Sequence, residues 1–308
     1  MVPARSARKR EEGRTFFFEK KNQKTFICLS YIDMRQGKTL ITVADDFGLS
    51  PLVNEAVEQA VREGMLTSAS LMVAAPAASD AVRRARALGG RLRVGLHLVV
   101  VEGPAVLPRA AIPDLVDAAG EFPSNQVAMG FRYAFLPGVR RQLAAEIRAQ
   151  FEAFRATGLQ LDHANAHKHM HLHPVVGRLL IDIGREYGLR AVRVPTEPRM
   201  PGARRGFGDR ALRAWTSVLR RQARRAGMLT NDSILGLGDT GHMTPACVRA
   251  MLARLPDGVT EFYFHPATAQ DDMLRRHMPT YEHTAELAAL LTLRPPPDVR
   301  LAAYSDLI

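Results

Sequence analysis

The 308-residue chain has two cysteines, Cys28 and Cys247, one tryptophan, and only 6% aromatic residues. Two thiols build no disulfide framework, so a reducing, cytoplasmic compartment is expected. No stretch approaches the roughly 18–20 apolar residues that span a bilayer. The longest early apolar run, Phe26 to Ile32, is short and carries polar residues. No small-residue cleavage site follows it, so no secretory signal is read. The Gly-x-Ser-x-Gly elbow is absent and Cys247 has no evident paired base, which counts against a nucleophile mechanism. Phosphate-cradling and dinucleotide fingerprints are absent too. What is present suits a globular core: 46% hydrophobic and 24% charged residues exclude a disordered chain or a coiled coil.

The charge is unevenly spread. The formal net charge of +11 comes from 42 basic and 31 acidic residues. Residues 1–38 hold ten basic side chains against Glu11, Glu12, Glu19 and Asp33, a net +6. The segment 199–225 holds nine arginines against Asp209, a net +8. The remainder is slightly acidic. Residues 1–38 show no period of 2 or 3.6 and read as a basic, disordered N-terminal extension. The strong pattern starts just after Met34, so the first 33 residues are expected to be dispensable, the alternative being a nucleic-acid or membrane arm.

From residue 39 onward, short β-rich runs alternate with helical ones. Strands are expected at 39–45, 68–75, 92–99, 159–165, 190–194, 233–237, 260–265 and 299–304. Helices are expected at 51–64, 77–89, 138–157, 174–187, 209–226, 245–255 and 281–292. Ser50-Pro51 and Thr244-Pro245 read as N-caps followed by proline in the first turn. Gly64, Gly158, Gly188 and Gly227 stand where helices should end. The alternation predicts one α/β domain over 39–308, a distorted (β/α) TIM-like barrel of seven or eight mostly parallel strands. The gap at 100–137, with five prolines, reads as a substrate-side loop.

The informative polar residues fall at the C-terminal ends of these strands, where barrel enzymes gather their sites. Asp45 and Asp46 end the first strand, His97 the third, Arg193 the fifth and His265 the seventh, while Asn165 and His167 follow the fourth. Five of the ten histidines, His163, His167, His169, His171 and His173, fall within eleven residues. In extended form they share one face, and in a helical turn His167 and His171 pair at i and i+4. Either arrangement presents imidazoles to a divalent cation. Glu261 lies on the same strand face as His265, and its expected partner is Arg193. The constellation is one Asp and two His for a metal, a second Asp as base and a remote His as acid. Such a metal polarises a carbonyl and acidifies a water. Asp45 would take the water's proton and His265 would protonate a leaving nitrogen. Other amide or ester hydrolysis, a barrel glycosidase using Asp45 and Asp46, and a basic nucleic-acid-binding protein stay open as alternatives.

Ala44-Asp45-Asp46-Phe47-Gly48-Leu49-Ser50, Thr67-Ser68-Ala69-Ser70, Gly95-Leu96-His97-Leu98, the histidine run ending at His173-Pro174, and Glu261 to Pro266 together resemble the YdjC-like carbohydrate deacetylase family. The form of residues 162–169 is similar to its hopanoid-biosynthesis-associated branch. The resemblance spans about 39–308. It implies a distorted barrel that removes acetyl groups from N-acetylated sugars with one divalent cation, Mg2+ favoured and Zn2+ admitted. It implies Asp45 as base, Asp46, His97 and His167 as metal ligands and His265 as acid. Arg193, Glu261, Asn165 and His171 are then substrate-binding or supporting residues, with His171 a rival or companion ligand to His167. Relatives commonly carry Asp-Ser where this chain has Asn165-Ala166. The branch implies an N-acetylglucosaminyl hopanoid as substrate.

On 209–226, Ala211, Leu212, Trp215, Val218, Leu219, Gln222 and Ala226 form a stripe, with arginines opposite. Two readings follow: the stripe packs on the barrel, or the helix meets an anionic membrane. The expected partners are therefore an N-acetylated sugar or glycolipid, the inner membrane face through 209–226, and a second copy of the chain in a homodimer.

Overall fold

The computed structural model describes residues 37–198 and 207–308, with side chains from 213 onward in the second part. The extension expected at 1–38 lies outside the described residues as far as residue 36, as does 199–206 of the arginine-rich segment.

Strand β1 (Lys38–Phe47) leads into α1 (Pro51–Glu63), then β2 (Ser68–Leu71), α2 (Ala78–Ala87) and β3 (Arg93–Leu98). A two-residue hairpin follows, β4 (Gly103–Pro104) with β5 (Glu121–Phe122), then α3 (Gln126–Phe135) and α4 (Pro137–Ala156). Next come β6 (Leu161–Ala166), a 3-10 turn (His167–Leu172), α5 (Pro174–Glu186) and α6 (Phe207–Arg225). The chain continues through β7 (Ser233–Leu235), α7 (Pro245–Leu252), β8 (Gly258–Phe264), α8 (Asp272–His277) and α9 (His283–Thr292). Strand β9 (Val299–Leu301) and a 3-10 turn (Tyr304–Leu307) close it.

Two helix starts follow their sequence signals. Ser50 accepts a hydrogen bond from the Leu52 amide at 3.1 Å, ahead of Pro51. Thr244 accepts from the Cys247 amide at 3.4 Å, ahead of Pro245. Each satisfies an amide that lacks an intrahelical acceptor.

The strands form one curled parallel sheet in the order β6-β3-β2-β1-β8-β7, with β9 beside the first three residues of β1. With β9 this is a seven-stranded parallel sheet curled into a half-barrel, within the seven or eight mostly parallel strands expected. The segment expected as a fifth strand, 190–194, makes only isolated bridges, Ala164 to Val192 and Ala191 to Leu229. Pro195 and Pro198 offer no amide to continue a ladder. The 100–137 gap also departs from expectation, because it contains α3.

Side chains alternate along a strand, and here the odd positions line the concave side. Ile41, Val43 and Val259 pack there with Ala191, Ala302, Tyr304 and Leu307 as a small apolar plug. Above the plug come Glu261, Asp45 and Tyr263, so polarity rises toward the C-terminal rim. The even positions Leu40, Ala44, Phe262 and Phe264 join the larger core beneath the helices.

Candidate active site

Asp45 and Asp46 are neighbours on β1 and would point to opposite faces of a regular strand. They do not, because Asp46 has φ +58° and the pairing of β1 with β2 slips between Ala44 and Phe47. The strand end turns, and both carboxylates face the concave rim. Gly48, at φ +97°, completes the turn where a Cβ would sit 3.1 Å from the Ala78 Cα.

Asp46, His97 and His167 each offer a ligand atom, and these atoms all lie within 4.8 Å of one another. They are buried and arrive from the ends of β1, β3 and β6. His97 Nε2 and His167 Nδ1 each lie 3.1 Å from Asp46 Oδ1. Asp46 Oδ2 and His167 Nε2 are buried without a hydrogen-bond partner. Crowding two imidazoles and a carboxylate while leaving polar atoms unpaired is costly unless a cation or protons lie among them. The donor set, one carboxylate oxygen and two imidazole nitrogens with the remaining positions open, fits a divalent ion.

Around this trio runs a fixed network. His97 Nδ1–H donates to Asn165 Oδ1 at 2.7 Å, which turns Nε2 toward Asp46. Asn165 Nδ2 donates to Asp45 Oδ1 at 3.0 Å, and Ser70 Oγ donates to the same oxygen at 2.7 Å. Asn165 thus supports His97, on the neighbouring strand, and ties it to Asp45. Arg193 Nη2 donates to Asp45 Oδ1 at 2.9 Å and Nη1 to Oδ2, a bidentate pair. Arg193 Nε donates to Glu261 Oε1 at 2.5 Å, and the Tyr304 hydroxyl donates to Glu261 Oε2. Burial pushes the Asp45 carboxyl up, but the charge and hydrogen bonds of Arg193 outweigh it and hold Asp45 well below the usual carboxylate range. Glu261 stays above that range because burial outweighs its pull from Arg193.

His265 stands across the rim at the end of β8. Burial draws its imidazole down to about 4 against the upward pull of Asp46 and Asp45, so it is neutral near pH 7. Its Nδ1 has no partner. Glu286 of α9 accepts from the His265 amide, and burial raises that carboxyl to about 7. The His265 ring packs edge-on against Tyr263 at 5.7 Å and Tyr281 at 5.0 Å.

The histidine run does not form one cluster. Lys168 and His169 adopt left-handed conformations, φ 52° and 54°, inside the turn and splay the side chains apart. His167 meets Asp46. His163, deeper on β6, is held by Asp162 at 2.8 Å. His171 lies outside the Asp46–His97–His167 group: it is fully buried, and its Nε2–H donates to the Arg193 carbonyl at 3.1 Å. It therefore steadies the segment that carries Arg193. Of the stripe expected on α6, either packed on the barrel or meeting a membrane, Leu219 is buried together with Thr216 and Ala223, whereas Trp215 is 44% exposed. Sequence reasoning missed Ser70, Tyr304 and Glu286 as partners. Parity along β2 and β8 was the available signal for Ser70 and for Tyr263.

A curled parallel sheet with a buried Asp–His–His trio at its C-terminal rim defines an α/β protein with a candidate cation site beside a second carboxylate and a histidine. The chain belongs to the YdjC-like protein family, which matches it over residues 39–294. It is 32% identical to the human carbohydrate deacetylase over 231 residues, covering 71% of this chain and 69% of that protein. It is 36% identical to the Brevibacillus brevis carbohydrate deacetylase over 180 residues, 58% of this chain. That match spans 65% of the Brevibacillus protein, just under two thirds of its length. Among solved structures, one from Enterococcus faecalis assigned to cellobiose-phosphate cleavage superposes with a TM-score of 0.70 at 24% identity, covering 88% of this chain and 99% of that one. That likeness supports the fold.

Proposed function

We propose that the protein is a metal-dependent carbohydrate N-deacetylase, with Asp46, His97 and His167 holding the cation, Asp45 as base and His265 as acid. The convergence of three buried ligands from three strand ends carries this reading, and the deacetylase relatives supply the reaction class. The ion, when bound, polarises the acetyl carbonyl and acidifies a water beside it. Asp45, ionised and fixed by Arg193, Ser70 and Asn165, accepts the water's proton as oxygen attacks the acetyl carbon. The proton that Asp45 takes from water passes to His265, neutral at rest, and from it to the amine as the carbon–nitrogen bond breaks, so water supplies hydroxyl to acetate and hydrogen to the sugar amine. A glycosidase pair is disfavoured, since Asp45 already receives four hydrogen bonds from the protein.

The proposed substrate is an N-acetylglucosaminyl hopanoid and the proposed ion magnesium, both following the family resemblance; two imidazoles make zinc the competing ion. Arg213, Arg221, Arg224 and Arg225 form an exposed basic face on α6, which supports contact with an anionic bilayer. No helix among the described residues is long and apolar enough to cross a membrane. Acetate release from an N-acetylglucosaminyl lipid, with magnesium or zinc restored to chelator-treated protein, tests the reading. Release of free N-acetylated sugar, or no product with either ion, overturns it.

A further inference from the structure

Helix α3 is apolar on two opposite faces. Met129 and Tyr133 face the core and are buried. Val127, Phe131 and Phe135, at i, i+4 and i+8, form a second stripe that is 70%, 63% and 71% exposed. Phe131 and Phe135 stack on each other at 5.9 Å. The fold does not need this stripe, and exposing it is costly. It forms one wall of a groove of about 710 Å3, with Met170 and Leu172 of the 3-10 turn as floor and Trp215 of α6 on the far side. That volume lies within the roughly 300–1,000 Å3 of small-molecule sites.

The groove lies beside the active-site rim. Lys168 and His169 are among its lining and directly follow His167 in the chain. The His169 ring meets Tyr263 at 5.4 Å, and Tyr263 meets His265 at 5.7 Å. Charge is muted along it, because Lys168 is paired with Glu102. A polar saccharide chain would find few hydrogen-bonding groups here, whereas a hydrocarbon would meet aromatic and aliphatic walls.

We propose that this groove is the aglycone subsite: it holds the apolar part of a sugar lipid, while the N-acetylated sugar sits at the rim. The assignment rests on the deacetylase reading and adds to it which surface selects the lipid. The link from His169 through Tyr263 to His265 favours a substrate tail over a second protein copy, which would have no reason to reach His169.

The single tryptophan stands in the groove, so its emission reports occupancy without catalysis. Metal-loaded protein is titrated with a long-chain alkyl glycoside of N-acetylglucosamine and, separately, with N-acetylglucosamine. The alkyl glycoside should shift Trp215 emission saturably and the bare sugar should not. Phe131→Asp, and independently Ala134→Trp read by displacement of a fluorescent alkyl probe, should weaken alkyl glycoside binding about tenfold. In acetate release, the ratio of kcat/KM for the alkyl glycoside to that for a soluble N-acetylglucosamine oligomer should fall about tenfold in both variants. An equal loss on both substrates, or equal emission shifts with both ligands, overturns the subsite. So does a dimer dissociated by Phe131→Asp whose Trp215 emission ignores the alkyl glycoside. Wild-type protein that shifts its emission but releases no acetate from either substrate retains the apolar site and refutes the deacetylase reading alone.

Discussion

Replacing Arg193 with methionine tests the electrostatic logic of the site. Arg193 is fully buried and neutralises two buried carboxylates, Asp45 and Glu261. Methionine fills much of the volume but leaves both acids without their cation. Breaking a buried ion pair from one side costs about 3–5 kcal/mol. For a domain of this size that lowers Tm by roughly 10 °C. The loss should depend on pH with a definite sign. Glu261 already sits above the usual carboxylate range through burial, and without Arg193 it climbs further. A carboxyl whose folded pKa exceeds its unfolded value binds more protons when folded, so its penalty is absent at low pH and grows as pH rises through the unfolded value. Urea denaturation of wild type and Arg193→Met at pH 5 and pH 8 measures this, with the larger deficit expected at pH 8. Arg193→Met/Glu261→Gln, which removes one stranded charge, should recover part of the loss at pH 8. Equal deficits at both pH values, or no recovery in the double variant, would refute the reasoning.

Four further outcomes are expected. Asp46→Asn and His97→Ala should each abolish stoichiometric binding of zinc or magnesium, measured by calorimetry on chelator-treated protein. His171→Phe should cost about 1–2 kcal/mol through the lost hydrogen bond to Arg193, while metal stoichiometry stays the same; lost metal would make His171 a ligand after all. Gly48→Ala should destabilise by about 2 kcal/mol, from its left-handed backbone and the contact with Ala78, read by thermal denaturation. In chelator-treated protein, His265 is neutral until about pH 4, whereas an unfolded histidine protonates near pH 6.5. The unfolded chain therefore binds protons first, and His265 contributes a stability loss on the order of 3 kcal/mol as pH falls through that window. Comparing denaturation of wild type and His265→Gln at pH 7 and pH 4 isolates this loss, and identical pH dependence in the two proteins would contradict it.

Much of the site was legible because strand ends can be read from hydrophobic runs. Asp46, His97 and His167 each close such a run, and the curled sheet brings the three ends together. Helices α1 and α7 announced themselves through Ser50-Pro51 and Thr244-Pro245. Other features left no local signal. Helix α3 hides its period because both of its faces are apolar, and the prolines around it read as a loop. The segment 190–194 looks like a strand, yet its ladder stops at two isolated bridges. The left-handed turns at Asp46, Lys168 and His169 involve residues with a Cβ, where the sequence gives no reason to expect them. Those turns decide which neighbours share a face: they bring Asp45 and Asp46 together and send His167 and His171 apart.

The dispersal of the histidine run has a consequence for uptake of the proposed ion. Before folding, five imidazoles lie within eleven residues on a supple chain, a chelator in its own right and unconnected with Asp46 or His97. Folding dismantles that chelator and places one of its members, His167, beside Asp46 and His97. Soft, imidazole-loving ions therefore reward the denatured ensemble as well as the native one, and their net stabilisation is smaller than native affinity suggests. Hard, oxygen-loving ions gain little from the denatured run. Abundant zinc should accordingly retard refolding at concentrations where magnesium leaves its rate untouched.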